Sequence, residues 1–127
     1  GIALLERTFP GMRRAAQARQ ANALVLRDSA DQSRNLDTVR AIEGGESGYL
    51  RFPVLLRDDP RDNDALGIAR GYPNPLSLEP EIQPCLVASR EPLHGAHELA
   101  RRLVTLPTHH MVTTNDLAHM AAWLREA

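Results

Sequence analysis

At 127 residues the chain is the size of one domain, and its 43% hydrophobic content can supply a core. A net charge of −1 leaves no electrostatic footprint for nucleic acid. All fifteen cationic residues are Arg, so without Lys no imine can form on a side chain and no Gly-Lys-Ser/Thr phosphate loop is possible. Cys85 is the only cysteine, which excludes an internal disulfide and a cysteine-based zinc site. A lone cysteine fits a reducing compartment, no apolar run reaches the length of a membrane span, and no signal peptide opens the chain. A cytoplasmic location without membrane contact is therefore expected. The start at Gly1-Ile2, without Met, leads us to expect a single domain over 1–127 that is a piece of a longer protein.

In chain order, residues 3–28 read as a long Ala- and Arg-rich helix, punctuated at Thr8-Phe9-Pro10-Gly11. Its apolar stripe is Met12, Ala16, Ala23, Leu26 and Ala30. Residues 28–48 are polar and end in Gly44-Gly45-Glu46-Ser47-Gly48, a loop with one helical turn expected around Thr38 to Ile42. Tyr49 to Leu56 is the clearest strand by its alternation, and Pro53 marks it as an edge strand or a bulge. Arg57 to Asp64 should open a short helix or turn. Ile68 to Tyr72 reads as a second short strand that runs into the rigid Gly71-Tyr72-Pro73-Asn74-Pro75. Residues 76–92 are irregular, with a helical turn near Glu79 to Gln83. Gly95 to Leu103 has helical spacing, with Ala96, Leu99, Ala100 and Leu103 on one face and Glu98 four residues before Arg102. Val104 to Leu106 is a short strand closed by Pro107. The last helix starts near Thr113 or Thr114, with Asp116 at its positive end and Leu117, Met120, Ala121 and Leu124 as its buried stripe. The pattern predicts an α+β fold: a small antiparallel or mixed sheet of two to three short strands packed with helices, behind a long N-terminal helix.

The residues themselves offer little catalytic chemistry. His94, His97, His109, His110 and His119 include no His-Glu-x-x-His, so surface and loop histidines are expected and no metal site. Asp58, Asp59, Asp62 and Asp64 lack the Gly and closing Glu of a calcium loop, and Arg57 and Arg61 interleave with them. Cys85 has no His nearby, and no Gly-x-Ser-x-Gly elbow occurs. Arg51 and Arg70 sit beside ordered apolar segments, and either could pair with a carboxylate or phosphate.

Several passages, in order, are similar to one known family. Tyr49-Leu50-Arg51-Phe52-Pro53-Val54-Leu55 is followed by Gly67-Ile68 and then Gly71-Tyr72-Pro73-Asn74-Pro75-Leu76. Later come Gly95-Ala96-His97-Glu98-Leu99-Ala100-Arg101-Arg102-Leu103-Val104-Thr105-Leu106-Pro107-Thr108-His109 and Val112-Thr113-Thr114-Asn115-Asp116-Leu117. Together these resemble the C-terminal small domain of DegT/StrS-type sugar aminotransferases, which depend on pyridoxal phosphate. Residues 1–7 and the Arg19-x-x-Asn22-Ala23-x-x-Leu26 passage look like that family's interdomain helix. One position departs: family members often carry His directly after Tyr-Pro-x-Pro-Leu, and Ser77 stands here.

The resemblance implies a homodimeric transaminase acting on a keto-sugar nucleotide with an amino donor. The cofactor's lysine would lie in a large domain outside these residues. The small domain would shape the substrate pocket and the dimer and would not be catalytic alone, with Arg70, Tyr72, Asn74 and His109 nearest the substrate. A free-standing, non-catalytic α+β interaction or regulatory module is the alternative.

Overall fold

The computed structural model describes residues 2–58, 62–71, 73–86 and 93–127, with side chains from Phe9 onward. The elements are α1 (Ile2–Ala30), β1 (Leu36–Thr38), β2 (Arg51–Leu56), β3 (Ala69–Arg70), α2 (His94–Arg102), β4 (Leu103–Pro107) and α3 (Thr114–Glu126). Short 3-10 turns at Asp64–Leu66, Leu76–Leu78 and Gln83–Cys85 break up the connections. The fold is α+β, and the four strands form one antiparallel sheet in the order β1-β2-β4-β3.

Alternation along β2 and β4 builds the core. Phe52 faces Leu106 and Val54 faces Val104 across the central pair, while Leu36 of β1 faces Leu56. All six are buried on one face, where they meet Ala23, Leu26 and Ala30 of α1, Ile68, and Met120 and Leu124 of α3. At roughly 25 cal/mol per Å² of apolar surface, these side chains dominate the folding energy. The stripe expected on α3 is therefore observed. Its start is a capping box: the Asp116 amide donates to the Thr113 hydroxyl at 3.2 Å and the Thr113 amide donates to the Asp116 carboxylate at 2.9 Å.

Several expectations need correction. α1 runs without a break through Pro10, although a stop was expected at Thr8 to Gly11. Pro10 removes one backbone bond, and the Ala- and Arg-rich run that follows carries the helix across it. Among its described side chains the fully buried ones lie in its C-terminal part, and Met12 of the expected stripe is 62% exposed. No helical turn forms at Thr38 to Ile42. Leu36–Thr38 instead pairs with β2, because Leu36 gains a place in the core and Asp37 gains two arginine partners.

β2 begins at Arg51, not Tyr49, since Tyr49 has a left-handed φ of 41°. β2 is also a central strand, not an edge. β1 reaches only as far as Val54, so at Pro53 that side of β2 is open and a missing N–H is tolerated. β3 is confined to Ala69 and Arg70, and Tyr72 lies outside the described residues. α2 buries none of its residues, and Leu99 of its expected face is 48% exposed. The helix meets β2 and β4, and Arg102 at its end reaches the Leu56 carbonyl and Asp37, but its apolar face stays uncovered among the described residues.

Candidate functional site

The connections around β3 and α2 enclose an open groove of about 390 Å³. Arg70, Asn74, Pro75 and Leu78 line one side, and His97 and Arg101 of α2 line the other. β3 sets Arg70 opposite Val104. Asp62 steadies the same segment, accepting from the Arg70 amide at 3.2 Å and lying 3.9 Å from its Nε. Gly71 makes room for the Leu103 side chain. A Cβ there would stand 2.6 Å from Leu103 Cδ2, while the Gly71 amide donates to the Leu103 carbonyl at 2.9 Å.

The groove presents hydrogen-bond donors more than reactive groups. Two guanidinium groups, an amide and an imidazole suit a polar or anionic ligand. Its carboxylate, Glu98, is engaged by Arg101 at 3.1 Å, and that hydrogen bond holds the Glu98 carboxyl below its usual range. His97 and Arg101 were not anticipated as groove residues. Their i, i+4 spacing puts them on one side of a helix, which was the available signal.

His109 is elsewhere. It lies just beyond the end of β4, whereas Arg70 pairs with Val104 near that strand's start. Asn22 of α1 ties this end down, donating to the Thr108 carbonyl at 3.0 Å and the His109 carbonyl at 3.3 Å. Thr108 is fully buried and donates to the Tyr49 carbonyl at 2.5 Å. The His109 side chain itself is exposed. Arg70 and Asn74 thus share a groove, His109 stands apart, and Tyr72 falls outside the described residues.

Arg51, the other arginine considered for an anion, is occupied by structure. Its Nε donates to the Thr105 hydroxyl at 2.7 Å, and one terminal nitrogen donates to the carbonyls of Gly67 and Thr105 at 2.5 and 2.8 Å. Partial burial also pushes its pKa down. Among the described residues no group of three or more His, Cys, Asp or Glu side chains could hold a metal ion. Among them, too, no helix is long and apolar enough to cross a membrane.

No family profile and no curated protein matches the sequence. Solved structures do match in three dimensions. DesV from S. venezuelae, solved in complex with a ketimine intermediate, superimposes with a TM-score of 0.79 at 16% identity, over 98% of this chain and 34% of its own. The fold is that of one third of an aminotransferase. A DegT DnrJ EryC1 StrS aminotransferase from Brucella abortus gives a TM-score of 0.73 at 16% identity, over 98% of this chain and 34% of that one. The sugar aminotransferase CalS13 from Micromonospora echinospora gives 0.69 at 16% identity, over 100% and 33%. The chain therefore spans about a third of the length of the aminotransferases whose fold it shares.

Proposed function

We propose that these residues are the C-terminal domain of a pyridoxal-phosphate-dependent aminotransferase acting on a keto-sugar nucleotide. The supporting observation is the fold shared with aminotransferases across 98% of this chain. On this reading the domain borders the substrate pocket and contributes to a homodimer in the cytoplasm. The amino donor and the keto-sugar nucleotide meet in the longer protein.

Pyridoxal phosphate does not fit this chain by itself. Its attachment requires a lysine, and there is none. The cofactor and the bond-making chemistry belong to the rest of the longer protein. The contribution of these residues is to bind and orient. Arg70 and Asn74 would hold the substrate from the groove, and His109 would meet it from beyond the far end of β4. Tyr72 joins the set through its place between Arg70 and Asn74 in the Tyr-Pro-x-Pro-Leu passage.

The test uses the full-length gene product. It should show the absorbance of an enzyme-bound pyridoxal imine and transfer an amino group to a keto-sugar nucleotide. Arg70→Ala and His109→Ala should each raise the KM for that substrate by about tenfold, as expected for a lost charge-assisted contact. Unchanged KM and turnover in both variants would remove them from the site. A full-length product without bound cofactor or lysine would favour the non-catalytic module instead.

A further inference from the structure

A second groove, of about 530 Å³, lies between the C-terminal half of α1 and the 38–49 segment. Its volume is within the range of small-molecule sites. Leu24 and Val39 give it apolar walls, and both are markedly exposed, at 50% and 39%. Gln20, Arg27, Arg40 and Tyr49 give it polar ones, and the carboxylates of Asp31 and Glu46 also line it.

Two of these side chains are held in place yet incompletely used. Arg27 is half-buried and donates through one terminal nitrogen to the Tyr49 hydroxyl at 2.8 Å. It makes no ion pair among the described residues. The other arginine, Arg40, is paired with Asp31 at 3.5 Å. A half-buried guanidinium without a carboxylate has donors free for an anion. The Tyr49 hydroxyl accepts from Arg27, and its own proton has no acceptor among the described residues.

Tyr49 is also fixed in an unusual backbone conformation. Its φ of 41° places a large side chain in the left-handed region. Three contacts hold it there: Thr108 donates to its carbonyl, its amide donates to the Ser47 hydroxyl at 3.3 Å, and its ring stands 6.2 Å from that of Phe52. Strain of this kind collects where a side chain must be aimed. On the loop side, Arg19 donates to the Gly48 carbonyl at 3.4 Å, so the wall is tied to α1.

We propose that this groove binds a small anion, a carboxylate or phosphate carried on an apolar ring. Arg27 pairs with the charge, the Tyr49 hydroxyl donates to it, and Leu24 and Val39 cover the ring. The site is separate from the groove at Arg70 and does not rest on aminotransferase activity.

Calorimetry on the full-length protein, freed of unbound cofactor, tests it with benzoate and phenyl phosphate as probes. At least one should bind about tenfold more tightly than neutral benzyl alcohol. Arg27→Gln should weaken that probe about tenfold, and Tyr49→Phe, which keeps the ring, about threefold. Arg34→Gln, outside the groove, should leave it unchanged. Val39→Glu places a repelling charge on an exposed wall, and should also abolish binding should Arg27→Gln fail to fold. Absence of binding by both probes, or affinity unaltered in Arg27→Gln or in Val39→Glu, overturns the proposal.

Discussion

Asp37 is the residue on which the β1 end of the molecule depends. Arg57 donates to one carboxylate oxygen at 2.8 Å and Arg102 to the other at 2.7 Å, joining β1, the end of β2 and α2. Hydrogen bonding from Arg57 first, then Arg102, holds its carboxyl below the ordinary value of 3.8. Glu98 is held below its ordinary 4.5, chiefly by Arg101. A depressed carboxyl contributes stability above its ordinary value and loses it as pH falls through the folded-state value. The urea midpoint should therefore be level near neutrality and fall once pH drops below about 4. Asp37→Asn should lower the neutral midpoint and flatten part of the acid decline, and an unchanged acid slope would contradict this role. The Glu98–Arg102 pair was legible from its i, i+4 spacing and forms at 3.8 Å, whereas the Asp37 partnerships were not, because Asp37 and Arg102 are 65 positions apart in the chain. Arg70 and Asn74 could be singled out because they share one short passage, whereas His97 and Arg101 enter the groove from a distant helix.

Among the elements, α3 was the most legible and β1 the least. α3 carries its own start signal in Thr113 and Asp116 and its own stripe in Met120, Ala121 and Leu124. Everything needed to recognise it lies within one local segment. Thr113→Ala removes the hydroxyl that accepts from the Asp116 amide and should cost about 1 kcal/mol. Urea unfolding measures this, and a change within error would mean that the helix is held by packing alone. β1 has three residues of which only Leu36 is buried, so no alternation can be seen in it. It exists because β2 offers it a partner. The exposed face of α2 teaches the complementary lesson: periodicity reports that a helix has an apolar side, not that anything covers it.

At the scale of the whole molecule, α1 outgrows the body it serves. Its 29 residues span roughly 43 Å at ~1.5 Å each, and its described buried residues begin only at Ala23. Phe9 and Met12 are 50% and 62% exposed on the protruding part. The isolated 127-residue chain should therefore self-associate, with a mass that rises with concentration in light scattering. The double change Phe9→Ser and Met12→Ser should leave it monomeric, and a wild-type monomer at high concentration would refute the idea. The sheet itself offers no rival route. Its two long strands are inside, and its rims are β1 with three residues and β3 with two. An incoming strand would find only a few open rungs on either side before the ladder ran out. Among the described strands, the order thus leaves little ladder for edge-to-edge addition, and the sticky surface lies on the helix instead.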